Sequence, residues 1–175
     1  QGLEPTCAAE ITDTLEPDFA EALLPHGGEV DSNPYALAIL KGDRVVADAG
    51  GNSLVRVTPS GKVSTLAVLP PRPVVISPEA AGAFGLPECT VGLTMNLDFV
   101  PTDVEAGPEG MLYVTSLPGG PEGESPLGPL GGVFTVNPRT GSVSQIGSGF
   151  FGATDLAVAD NGDVYVTELY INTVS

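Results

Sequence analysis

The sequence predicts an all-β fold assembled from repeated units of four antiparallel strands, and three observations carry that expectation. Three segments align on a Pro or Ala that precedes a short apolar run: NPYALAILKGDRVVADAGG from Asn33, VPTDVEAGPEGMLYVTSLPG from Val100 and GATDLAVADNGDVYVTELY from Gly152. Within them apolar residues alternate at period two, so that Leu37, Val104 and Leu156 hold one equivalent place and Val46, Val114 and Val166 another. That alternation is the mark of strands with one buried face. Between the paired runs stand Gly42-Asp43, Glu109-Gly110 and Asn161-Gly162, residues that accept the left-handed backbone of a tight hairpin. Four antiparallel strands per repeat is the blade of a β-propeller, whose usual repeat is about 40 to 45 residues.

Taken in order, residues 1–30 are expected to form an N-terminal arm or short helix. There ITDTLEPDFAEALL carries apolar residues at near-helical spacing, with Thr12 or Asp13 as the capping residue. Residues 31–70 form a first blade, its third and fourth strands, SLVRVTPS and KVSTLAVL, joined at Pro59-Ser60-Gly61-Lys62. An inter-blade loop is expected over 71–99, and a second blade over 100–149 with its outer strands in GGVFTVNPRTGSVSQIGSG, turning at Asn137–Gly141. The intervals between Leu37, Val104 and Leu156 exceed the length of one blade, which assigns the excess to loops. One such loop is the Pro/Gly-rich LPGGPEGESPLGPLGG, a composition that builds no core and belongs on the surface. Residues 150–175 read as an incomplete blade.

Bulk composition narrows the partners. With 22 acidic against 6 basic residues and a net charge of −16, the chain lacks the Lys/Arg clusters that neutralise phosphates, which argues against nucleic acid. A cation, a cationic surface or a small-molecule ligand fits that charge. Gly 23 and Pro 17 interrupt the apolar residues, leaving no run near the ~20 residues of a membrane-spanning helix. Membrane insertion is therefore not expected. The start QGLEPTCAAE has neither the basic start nor the apolar run of a secretory leader, and a mature terminus left by cleavage would look the same. Cys7 and Cys89 lie outside any CxxC pair, so zinc and thioredoxin-like chemistry are unsupported. Two readings stay open: one disulfide closing a long loop in an oxidising compartment, or two unrelated buried thiols. No Asn heads an N-glycosylation triplet.

At VVADAGGNSLVRVTPSGKVSTL the chain resembles an NHL repeat, whose blades commonly carry an Asp, a short glycine gap, an Asn and an apolar strand, here Asp48, Gly50, Gly51 and Asn52. The longer stretch GGEVDSNPYALAILKGDRVVADAGGNSLVRVTPSGKVSTLAVLP, with VPTDVEAGPEGMLYVTSLPG after it, is similar to the ScyD/ScyE family of secreted bacterial six-bladed propellers. The resemblance covers roughly residues 28 to 168. It implies a propeller fold and secretion, and its motifs encode no activity. Family members carry further blades, usually including some before DSNPY, so about two and a half blades are present here. An arc with two free blade faces exposes apolar area and unpaired edges. The expected partners are therefore other blades of a longer chain or copies of itself.

Propeller hydrolases and lactonases of related architecture hold Ca²⁺ in a central channel with carboxylates and Asn. That makes Asp48, Asn52, Asp103, Asp155 and Glu168 the metal candidates, with Asp103 and Asp155 at equivalent repeat positions. The competing reading has these side chains capping turns by bonding backbone N–H groups. No other cofactor is implied. Nucleophilic catalysis has little to work with, because the single histidine, His26, lies in a connection and no GxSxG elbow occurs. Tyr113 and Tyr165 recur at matching positions, where core packing and a binding groove compete as explanations; Trp is absent, which weakens stacking on sugars. The expectation is a secreted, extracellular, non-enzymatic propeller module used for binding or as a structural, self-assembling building block. The alternative is a Ca²⁺-dependent propeller hydrolase or lactonase on a small ester-like substrate, with the metal polarising a carbonyl and a carboxylate acting as base.

Overall fold

The computed structural model describes residues 3–17, 20, 23–24, 31–120 and 125–169; His26, the 121–124 part of the Pro/Gly-rich stretch and the last residues of the incomplete blade lie outside them. In chain order the elements are α1 (Pro5–Thr14), β1 (Pro34–Leu40), β2 (Asp43–Asp48), β3 (Ser53–Val57), β4 (Val63–Val68), β5 (Arg72–Val75), α2 (Pro78–Phe84), β6 (Thr94–Leu97), β7 (Phe99–Ala106), β8 (Leu112–Pro118), β9 (Gly131–Val136), β10 (Val143–Phe150), β11 (Ala153–Val158) and β12 (Val164–Glu168). They form two compact units, one of residues 1–30 with 72–97 and one of residues 31–71 with 98–175.

The larger unit is an all-β, partial β-propeller. Its first blade is the antiparallel sheet β1-β2-β3-β4, its second β10-β9-β8-β7, and its third the hairpin β11-β12. Register follows the alternation: Leu37 faces Val46, Val104 faces Val114 and Leu156 faces Val166. Hairpin turns sit where the Gly-containing pairs stand, with Lys41 and Gly42 at φ 51° and 91° and Glu109 and Gly110 at 57° and 71°, the left-handed backbone that matches strand twist. Each inner strand is irregular at the same place, between Pro34 and Ala36, Pro101 and Asp103, and Ala153 and Asp155, where one extra residue re-aims the side chains that follow.

The core lies between the first two blades. Ala38, Leu40, Val45, Ala47 and Leu54 of the first meet Val104, Leu112, Val114, Phe134 and Val136 of the second, and Phe99 packs edge-on against Phe134 with ring centroids 4.7 Å apart. Each large side chain buried here contributes about 1.5–3 kcal/mol. Arg56 ties the outer strands by donating to the Pro138 carbonyl at 2.7 Å.

In the smaller unit the segment expected as an inter-blade loop proves to be structured. Strands β5 and β6 pair antiparallel, and α2 intervenes. Ser77 caps α2 by accepting the Ala80 N–H at 3.1 Å, Pro78 occupies its first turn, and Gly85 at φ 65° ends it. Helix α1 begins at Pro5, so Thr12 and Asp13 lie inside it and not at its start; the Thr12 hydroxyl donates back to the Ala8 carbonyl at 2.9 Å. Proline presets the helical φ, and Cys7 and Ile11, one turn apart, supply the buried face. Cys7 and Cys89 form a disulfide, which settles the two readings left open above. No helix among the described residues is long and apolar enough to cross a membrane.

Candidate functional site

The five acidic and amide residues singled out in the sequence all fall in the larger unit, at three kinds of place. Asp48 ends β2, and its carboxylate is saturated: it accepts the Asn33 N–H at 2.7 Å, the Ser32 hydroxyl at 2.8 Å and the Gly51 N–H at 3.2 Å. Burial pushes its pKa up, but these hydrogen bonds outweigh burial and hold it below the ordinary carboxylate value. The turn it organises is tight, since a Cβ on Gly50 would lie 2.9 Å from the Asn33 nitrogen. Asn52 occupies the left-handed region at φ 49°. With its amide nitrogen turned toward them, it donates to the Ala49 carbonyl at 3.2 Å and the Phe99 carbonyl at 3.1 Å.

Glu168, at the end of β12, accepts the Phe151 N–H at 2.7 Å and closes the third hairpin. Asp103 and Asp155 are the two candidates that the fold brings together. The Asp103 carboxylate accepts the Leu156 N–H at 3.0 Å, reaching from the second blade to the inner strand of the third. Burial is the larger reason its pKa rises to about 6, and hydrogen bonding and repulsion from Asp155 add to it.

Sequence reasoning missed Thr102, which is buried, donates to the Ala153 carbonyl at 2.8 Å and lies 3.1 Å from the Thr115 hydroxyl. The repeated Thr-Asp in PTD and ATD is the signal that points to it. Tyr113 lies over Gly107 beside Val158 of the next blade, whereas Tyr165 is 63 % exposed.

Ca²⁺ takes six to eight oxygen ligands. Among the described residues no group of three or more His, Cys, Asp or Glu is gathered that could hold a metal ion, and the carboxylates of Asp48, Glu168 and Asp103 accept backbone N–H groups instead. The five do not fit a common cation centre. A shallow cleft of about 390 Å³ in the smaller unit, along Pro78, Ala81, Leu86, Glu88 and Val91, brings one charged side chain to an otherwise apolar wall.

No family model matches the chain, and no curated protein matches it. Among solved structures it is similar to a candidate gluconolactonase, at 17 % identity and a TM-score of 0.35 over 89 % of this chain and 64 % of that one. It is also similar to the extracellular domain of a candidate one-component system of B. thetaiotaomicron, at 15 % identity and a TM-score of 0.31 over 81 % of this chain and 21 % of that one. The chain thus spans less than two thirds of the length of either.

The Asp103 geometry predicts a pH effect of known sign. A carboxyl whose folded pKa lies above its unfolded value contributes stability at low pH that is lost as pH rises from about 4 through about 6. Asp103 is only partly buried, and screening trims the effect to roughly 1 kcal/mol. Asp103→Asn keeps an oxygen for the Leu156 N–H and adds a donor toward Asp155. Thermal melts at pH 4.5 and pH 7.5 are expected to show the variant gaining on the parent at the higher pH by a few degrees. A constant difference between the two proteins across that range would contradict the raised pKa of Asp103.

Proposed function

We propose that this chain is a secreted, non-enzymatic β-propeller module of the NHL type, related to the ScyD/ScyE family, that serves in binding or as a structural, self-assembling extracellular building block. The observation that carries this reading is how the carboxylates are used. Asp48, Asp103 and Glu168, the groups that would have to serve a metal or act as a base, are committed to backbone N–H groups that hold hairpins and blades together. A disulfide in the smaller unit agrees with an oxidising compartment. Side chains that remain available lie on blade faces: Leu37 and Ile39 on one and Tyr165 on another.

Calcium titration tests the reading against the hydrolase alternative. Isothermal calorimetry and melting with and without millimolar Ca²⁺ are expected to give no stoichiometric binding and a change in melting temperature below about 2 °C, since ligand bound to the native state stabilises it by mass action. One Ca²⁺ per chain that survives dialysis and is lost in Asp155→Ala would favour the metal-dependent hydrolase instead.

A further inference from the structure

Charge is spread unevenly over the larger unit. Residues 53–68 and 131–150, the outer strands β3, β4, β9 and β10 with their turns, hold Arg56, Lys62 and Arg139 and none of the chain's 22 acidic residues. Two turns gather these cations. Strand β3 turns into β4 through VTPSGKV, and β9 into β10 through VNPRTGSV. Each turn is closed at its base, the Thr58 N–H donating to the Lys62 carbonyl at 3.0 Å and the Asn137 N–H to the Ser142 carbonyl at 2.9 Å. Each carries a left-handed glycine, Gly61 at φ 83° and Gly141 at 74°. Each also sets two hydroxyls together: those of Thr58 and Ser60 are 3.0 Å apart, and those of Thr140 and Ser142 2.8 Å. One exposed cation stands beside each pair, Lys62 in the first turn and Arg139 in the second.

The fold lays the two turns side by side. The Arg56 guanidinium donates to the Pro138 carbonyl at 2.7 Å, and a Cβ on Gly141 would lie 2.7 Å from the Leu66 carbonyl of β4. Asp43 pairs with Arg56 at 3.5 Å, whereas Lys62 and Arg139 make no ion pair with a described residue. Blades pack face to face, and these turns stand at the ends of sheets, so a further blade beside the first or the third would leave them in solvent. We infer that the paired outer turns bind a linear polysaccharide bearing carboxylates, each turn offering one cation to a carboxylate and two hydroxyls to the sugar. This rests on the reading of the chain as an extracellular binding module and names the class of its ligand. A hydroxyl donates once and accepts twice, so a bonded pair still has groups to offer. A repeated set of this kind suits a repeating polymer. At the same end of the blades the inner turns carry Glu109 on the second and Asp160 and Asp163 on the third, which a planar anionic membrane would meet and a narrow chain avoids. Single-stranded nucleic acid calls for aromatic platforms, and neither turn holds an aromatic residue. An acidic peptide brings carboxylates without the hydroxyls that four Ser and Thr side chains answer.

The test is calorimetric titration of the full chain with polygalacturonate in EDTA, which removes bridging by Ca²⁺. Dextran, poly-L-glutamate, single-stranded DNA and phosphatidylglycerol vesicles are titrated alongside. Polygalacturonate is expected to bind and uncharged dextran not, with affinity falling roughly fivefold or more between about 0.05 and about 0.3 M NaCl as the screening length shortens. Lys62→Glu with Arg139→Glu, at exposed positions and checked for folding by circular dichroism, is expected to weaken binding roughly tenfold or more. Ser60→Ala with Ser142→Ala is expected to cost about threefold toward polygalacturonate and nothing toward poly-L-glutamate. No binding at the lower salt, or binding indifferent to the charge-reversed variant, would overturn the inference. So would poly-L-glutamate, DNA or the vesicles binding as tightly as polygalacturonate, the result expected of an unselective anion surface. Calcium binding would count against the proposed function and leave this measurement, made in EDTA, untouched.

Discussion

Opening the Cys7–Cys89 disulfide is expected to unfold the smaller unit and leave the blades standing. The bridge spans 82 residues, a loop for which chain entropy alone predicts about 4–5 kcal/mol. Among the described residues that unit has a small core, Cys7, Ile11 and Ala20 edged by leucines, with Ile76, Ala80, Ala81 and Leu97 also buried, and one two-stranded sheet. Pairs of strands without a broad apolar face are marginal in water. The Cys7→Ser, Cys89→Ser double variant should lose amide protection in α1, β5 and β6 while β7, β8 and β9 keep theirs. Hydrogen exchange read residue by residue decides the matter. Unchanged protection in α1 would mean that packing, not the bridge, secures the unit.

Asp48→Ala is expected to destabilise the first blade by roughly 3 kcal/mol. The substitution strips acceptors from two backbone N–H groups and a hydroxyl, and each part-buried donor left without a partner costs about 1 kcal/mol or more. Asp48→Asn keeps an oxygen for Asn33 and Gly51 but loses the charge, for an expected cost of about 1 kcal/mol. The pH dependence runs opposite to that of Asp103. A carboxyl whose folded pKa lies below its unfolded value of 3.8 contributes stability above that pH, lost as pH falls through the folded pKa. Denaturant unfolding from pH 7 to pH 3 should therefore show the Asn variant losing less stability on acidification than the parent. Equal losses would mean that the carboxylate charge adds nothing to its hydrogen bonds.

These two carboxylates show how far the site could be read from the residues alone. Asp48 and Asp103 stood out in the sequence through a motif and a repeat, yet chemistry by residue type favoured turn capping without excluding metal ligation. Geometry separates them: the partners of Asp48 are Ser32, Asn33 and Gly51, and that of Asp103 is Leu156 on another blade. Thr102 passed unnoticed because a threonine in a strand has no chemistry of its own until a carbonyl stands opposite it.

Strand order, register and turns were legible because they are local. Period-two alternation and a Gly-containing turn are set by neighbours a few residues apart, so pairing Leu37 with Val46 or Leu156 with Val166 needs nothing beyond the hairpin itself. The smaller unit was not legible, because residues 3–15 and 72–97 come together across a long chain separation and neither carries enough periodicity to announce the other. The same holds for which blade faces are covered. Leu37, Val104 and Leu156 are the same kind of residue in the same local pattern, and burial by a neighbouring blade, a property of the assembled unit, makes one of them surface and two of them core.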